Sequence, residues 1–233
     1  IVRAAISLIA WGVIKKFCVA DPLWPVVETN LLRNESRDVL LFGFGLYSLA
    51  LHFYAEFSGY VDMARGISRL FGIRLSKNFR GPFLSRNPQD FWQRWHVSLT
   101  LWLRDHVHYP VFFRTKSLSL SVFAVFLFMG LWHGVETHYI ALGVYWSILV
   151  LAHDRLRPWL LPIRQFSATK RSVWGWVSVA LMFQFSAFAF FLLYAQEWWE
   201  ILSKVGASSA STVFHSQTIS RLLFYCVPFL LVR

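Results

Sequence analysis

The chain has 233 residues, 56% of them hydrophobic and 18% aromatic, with a mean hydropathy of +0.47, a composition that excludes an ordinary soluble domain and makes lipid the expected solvent. Its formal net charge of +11 comes from Lys and Arg placed between apolar runs rather than on one face, so nucleic acid is excluded as a partner and membrane lipids are expected. The apolar runs are long and lack strict alternation, which excludes barrel strands and predicts an all-α fold: a polytopic transmembrane helix bundle with re-entrant or interfacial helices.

Residues 1–19 are apolar but interrupted by Lys15 and Lys16, and Asp21-Pro22 is expected to break the helix. Residues 26–38 read as a loop. From 39 to about 64 runs a strong candidate span carrying His52, Glu56 and Asp62. Ionisable groups at membrane depth cost a few kcal/mol, so these three are expected to face protein or a wet cavity.

Residues 65–116 change character, with ten Lys and Arg positions opposed by few acids, and read as a basic, mainly cytoplasmic or interfacial core region. Within it Asn87-Pro88-Gln89-Asp90 opens a helix on which Phe91, Trp92, Trp95, Leu99 and Trp102 or Leu103 recur at helical spacing. That helix is expected to be amphipathic and to lie in the interface or re-enter it.

Residues 118–132 are apolar and uncharged, His133-Gly134 interrupts, and 139–152 is apolar again, which suits two short helices better than one clean span. A basic loop is expected over 153–171. Residues 173–195 form the cleanest span, 196–220 a polar stretch on the opposite side, and 222–232 a run too short to cross. The chain opens inside apolar sequence and stops just after it, so 1–233 is expected to be a single membrane domain, incomplete at both ends. Cys18 and Cys226 are far apart and define neither a disulfide framework nor a thiolate metal site.

His133 ends an apolar helix beside a small neighbour, so another group can approach it closely. Its bland reading is a packing histidine satisfied by a backbone carbonyl. His96, among aromatics, reads as an interfacial histidine paired with an acid such as Asp90, and His106 and His108 join Arg104 and Asp105 in one polar layer. The string His133, Glu136, His138 lacks the four-residue step that aligns two imidazoles on a helix, so no metal is expected. With no phosphate loop, nucleophile elbow or carboxylate pair, hydrolase and kinase chemistry have no foothold. A histidine in a low-dielectric interior remains, suited to take a proton from a hydroxyl as it attacks an activated acyl group. A polytopic transporter or channel subunit would carry similar basic loops and intramembrane ionisable residues.

The stretches Phe53-Tyr54-Ala55-Glu56-Phe57-Ser58-Gly59-Tyr60-Val61-Asp62-Met63-Ala64, Asn78-Phe79 through Pro82-Phe83-Leu84-Ser85-Arg86, Asp90-Phe91-Trp92 through Arg94-Trp95-His96-Val97-Ser98-Leu99, Trp102 with Arg104-Asp105, and Gly130-Leu131-Trp132-His133-Gly134 occur in one order. In that order they resemble the membrane-bound O-acyltransferase (MBOAT) family, in its bacterial DltB/AlgI-like branch. The resemblance implies an O-acyltransferase in which His133 is the catalytic histidine and His96 the second characteristic one. Asp62, Trp95, Arg104, Asp105 and Trp132 are then candidates to line the substrate tunnel. It further implies an acyl thioester co-substrate from the cytoplasm, on a phosphopantetheine carrier protein or coenzyme A, with no bound cofactor. The acceptor would be an envelope polymer reached from the outer side of the cytoplasmic membrane, with accessory envelope proteins as partners. Arg86 and Arg94 are candidates to dock an acidic carrier protein. Here His106 stands where alginate-type members carry Tyr, and no Gly-Gly-Asn-Arg run follows. With the stretch from Gly134 to Gly143, this favours D-alanyl over acetyl transfer.

Overall fold

The computed structural model describes residues 2–33, 39–160, 168–194, 196 and 198–206, and every regular element among them is helical. Contacts divide the chain into two compact units, residues 1–77 with 197–233, and residues 78–196. The 222–232 run, Cys226 and much of the 196–220 stretch lie outside the described residues.

In the first unit α1 (Val2–Val13), a π-helical turn (Ile14–Ala20), α2 (Asp21–Val27) and a second π-helical segment (Glu28–Arg33) follow one another without a break. The expected interruption at Asp21-Pro22 does not occur. Pro22 directly follows the π-helical turn, and the helical run continues through it and through Pro25 of α2. The expected loop over 26–38 is likewise helical as far as Arg33, because Val27 and Leu31 are fully buried and Asn30 donates back to the Val26 carbonyl at 3.0 Å.

α3 (Val39–Leu70, 32 residues) runs six residues beyond the expected end and is long and apolar enough to cross a membrane. It packs along α1, where the backbones approach closely at Gly12 and Gly59; a Cβ on Gly59 would lie 2.9 Å from the Gly12 carbonyl oxygen. Val19, Ala20, Leu23 and Ala55 form a small core, with Leu51 packed against it. Glu56, Asp62 and His52 of α3 face protein. Asp62 accepts from Lys15 at 2.6 Å and Arg65 at 3.0 Å, while Glu56 takes Lys16 at 2.6 Å and lies 3.3 Å from His52. The other ring nitrogen of His52 meets the Ala20 carbonyl at 2.8 Å. In each case a charge that would be costly in lipid is met by an opposite one.

The second unit opens with an extended segment from Asn78 and a short 3-10 turn (Pro82–Leu84), entered through Gly81 at φ +63°. It continues with α4 (Pro88–Arg94), α5 (Val97–Leu103), a π-helical segment (Arg104–His108), α6 (Tyr109–Thr115), α7 (Leu118–His133), α8 (Thr137–Leu160) and α9 (Ala168–Tyr194). α7 and α8 form a close hairpin in which Gly130 sits against the Tyr139 carbonyl and Gly143 against the Phe126 carbonyl, contacts that any side chain would block. α8 continues past the expected loop start at His153, and its last turns carry exposed Arg155 and Arg157; the fall in hydropathy marks a change of surroundings, not the end of the helix. Ser172–Tyr194 of α9 is the second helix able to span, at 23 residues, roughly 35 Å of rise.

An aromatic core ties these helices together. Phe91, 1% exposed, stacks on Trp146 of α8 with centroids 5.0 Å apart and on Trp95 at 5.8 Å. Trp95 meets Phe190 of α9 edge-on at 4.9 Å. Pairs of this kind contribute about 0.5–1.5 kcal/mol beyond their area burial.

Candidate active site

The expected single helix over 88–103 is two helices, and the break between them is the first feature of the site. Asn87 caps α4, its side-chain oxygen accepting from the Asp90 amide at 2.8 Å. The helix ends at Arg94, Trp95 is extended, and His96 takes the left-handed conformation at φ +42°, ψ +56° before α5 begins. For a residue with a Cβ this conformation costs about 1–2 kcal/mol, and it is retained where surrounding contacts over-determine it. The contacts here are the Thr100 amide on the His96 carbonyl at 3.1 Å, the Thr100 hydroxyl on the Trp95 carbonyl at 3.2 Å, and the burial of Trp95. Burial also holds the His96 imidazole below its ordinary pKa.

His133 is the last residue of α7, and the Gly134 amide closes the helix on the Gly130 carbonyl at 3.3 Å. The residue is exposed, and its ring lies between Trp132, at 5.0 Å and 67°, and Tyr139 of α8, at 5.8 Å and 26°. Gly134 permits this. A Cβ there would stand 2.5 Å from Cε2 of Tyr139 and would also meet the Glu136 carboxylate. His96 opens α5 and His133 closes α7, and the two helices line one groove.

Between these helices lies a groove of about 190 Å³ lined by Leu99, Trp102, Leu103, Phe128, Met129 and Trp132. It begins one turn beyond His96 on α5 and one residue before His133 on α7.

The remaining sequence-derived candidates are distributed as follows. Asp62 belongs to the first unit, paired with Lys15 and Arg65. Trp95 is buried in the aromatic core. Trp132 is 61% exposed and forms a wall of the groove. Arg104 and Asp105 are exposed and paired with each other at 2.8 Å. His106 stacks on Trp102 at 4.6 Å, with one ring nitrogen at 2.9 Å from the Trp102 carbonyl. Asp90, the acid expected beside His96, instead bonds Arg94 at 2.6 Å and the Arg86 amide at 3.1 Å. Arg94 also reaches the Arg80 carbonyl at 3.3 Å, whereas the Arg86 side chain is exposed and lies beside Gly175 of α9. Sequence reasoning missed Tyr139 as a support of His133; the ring follows at a distance that only the α7–α8 turn brings back.

Among the described residues every regular element is helical, two helices are long and apolar enough to cross a membrane, and His133 follows Trp132 at the edge of an apolar groove. The sequence model described as "MBOAT, membrane-bound O-acyltransferase family" matches residues 33–196, and the chain belongs to that family. It is 31% identical over 192 residues to the teichoic acid D-alanyltransferase of Bacillus subtilis (strain 168), covering 78% of this chain and 48% of that protein. To the probable alginate O-acetylase AlgI of Pseudomonas putida it is 36% identical, covering 62% of this chain and 30% of the relative. To the peptidoglycan O-acetyltransferase of Helicobacter pylori it is 31% identical, covering 71% and 32%. The chain thus spans half or less of the length of each of these relatives.

Proposed function

We propose that the whole protein is a multi-pass enzyme of the bacterial cytoplasmic membrane that moves an acyl group from a cytoplasmic thioester to a hydroxyl of an envelope or extracellular polymer. The observation that carries this reading is that His96 opens one wall helix of the apolar groove and His133 closes the other, inside the segment that matches the family. His133 acts as general base: its imidazole takes the hydroxyl proton, the hydroxyl oxygen bonds to the acyl carbon, and the carbon–sulfur bond breaks to release the donor as a thiolate, which is then reprotonated. No covalent enzyme intermediate is needed when both substrates are held in line. His96, kept neutral by burial, offers a hydrogen-bonding nitrogen beside the reacting centre.

α4 to α6, short and broken by the bend at His96, read as the interfacial or re-entrant layer, and α3 and α9 as spans of the bundle. Trp132 and the groove beside it form the approach for the acyl donor, with Trp95, Arg104 and Asp105 framing that layer; Asp62, in the first unit, is a tunnel candidate by the family resemblance alone. The donor is a phosphopantetheine carrier protein or coenzyme A thioester, and exposed Arg86, with Arg94 near it, supplies positive charge for an acidic carrier.

D-alanyl transfer is the favoured reaction, supported by the match to the Bacillus D-alanyltransferase over 78% of the chain. Acetyl transfer is the second reading. Its support is the groove itself, since among the described residues none that lines it carries a carboxylate to receive a D-alanyl ammonium group. The test is to supply the complete protein in membranes with D-alanyl and acetyl thioesters in turn. Transfer from one donor names the reaction; transfer from neither removes the enzymatic reading.

A further inference from the structure

We infer that Asn78 is a positioning residue that sets the His96 imidazole in place from 18 positions upstream; this rests on the reading of His96 as part of the reacting pair. α5 begins without a cap of its own, because the residue at its N-cap position is His96, whose side chain makes no capping hydrogen bond. The first-turn amides of a helix need acceptors from elsewhere. Asn78 provides two. Its backbone carbonyl accepts from the Val97 amide at 3.1 Å, and its side-chain oxygen accepts from the Ser98 amide at 2.9 Å.

The same short segment also holds the other side of the bend. The Arg80 amide donates to the Arg94 carbonyl at 3.0 Å, at the last residue of α4, and the Arg94 guanidinium returns to the Arg80 carbonyl at 3.3 Å. Between these two anchors Phe79, 6% exposed, packs edge-on against Trp95 at 4.9 Å and lies 6.4 Å from the His96 ring. Residues 78–80 therefore brace the left-handed turn from both flanks. Of the contacts on the α5 side, only the Asn78 side-chain bond depends on the identity of that residue. Released from it, the first turn of α5 can fray, and the strained His96 backbone can relax towards an ordinary conformation, carrying the imidazole away from His133.

The brace distinguishes substitutions by acceptor geometry. Asn78→Asp keeps an oxygen at the same reach, Asn78→Gln displaces it by one methylene, and Asn78→Ala removes it. The experiment uses the complete protein in membranes and reads two quantities for each variant: kcat and KM for acyl transfer, and the rate at which His96 is acylated by diethyl pyrocarbonate, followed by peptide mass spectrometry. Asn78→Ala and Asn78→Gln are expected to lower kcat about tenfold or more with KM within about twofold, and to change the rate of His96 modification; Asn78→Asp is expected to restore both. If Asn78→Ala does not fold, Asn78→Gln carries the same comparison. Unchanged His96 modification and kcat in the Ala and Gln variants, or an Asp variant as impaired as they are, overturns the inference. Should the unmodified protein transfer no acyl group, the proposed reaction fails while the His96 modification rates still decide whether Asn78 positions that ring.

Discussion

The imidazole of His133 lies over the ring of Tyr139 with centroids 5.8 Å apart and planes 26° from parallel, across a turn in which Gly134 leaves no room for a side chain. Tyr139 thereby fixes the orientation of the histidine at the very end of its helix. Gly134→Ala would force the two rings apart, and a displacement of about 1 Å at a reacting group lowers rate by on the order of a hundredfold. We expect Gly134→Ala to lose most acyl transfer while the protein still purifies as a folded species. Tyr139→Phe should retain it, because the stack is preserved.

In the first unit, Lys15 and Asp62 are 9% and 14% exposed and 2.6 Å apart. Removing one partner of a buried pair costs about 3–5 kcal/mol when the other is left uncompensated. Here Arg65 remains on Asp62, so Lys15→Met should cost less than that, and Lys15→Met with Asp62→Leu should recover part of the loss. Thermal unfolding midpoints of the complete protein in detergent would check this. A single variant as stable as the unmodified protein would mean that the pair contributes nothing.

The lowered His96 pKa has a sign that can be tested. Unfolded, the imidazole binds a proton near the ordinary value of 6.5, whereas burial in the folded state makes it bind one less readily. Its contribution to stability is therefore fully present above that value and is lost as pH falls from there towards the lowered one, where the unfolded chain binds more protons. Unfolding midpoints measured from neutral down to about pH 5 should fall less in His96→Gln than in the unmodified protein. Parallel curves would contradict this.

Arg86 and Arg94 should behave differently on charge reversal. Arg94 is held by Asp90 and the Arg80 carbonyl, so Arg94→Glu should lower stability by about 1 kcal/mol or more. Arg86 engages Asp90 only through its backbone amide. Arg86→Glu should leave the unfolding midpoint unchanged and weaken binding of an acidic carrier protein roughly threefold or more. Unchanged carrier affinity would remove Arg86 from the docking surface.

Much of this was legible in the sequence because lipid imposes simple rules on it. The spans beginning near Val39 and Val173 stood out by hydropathy, and α7 ends on His133 where the Gly134 interruption predicted. Helix ends were harder to read. The helical run passed through Pro22 where a break was expected, and α8 ran through His153, because charge changes a helix's surroundings without ending it. The bend at Trp95-His96 left no trace in the periodic pattern of Phe91, Trp92, Leu99 and Leu103. It depends on Asn78, 20 positions before the Ser98 amide that it holds, and on packing from α8 and α9. Asp90 as a partner for His96 failed for a similar reason: its own helix offers it Arg94 one turn away.

The most direct test is acyl transfer by the complete protein in membranes, comparing the unmodified form with His133→Ala at matched expression and with the productive thioester donor. A general base is worth on the order of a hundredfold to ten-thousandfold in rate, so transfer should fall at least a hundredfold while folding and donor binding persist. Full activity in the variant would make His133 a packing residue at the end of α7 and leave the proton transfer without a base.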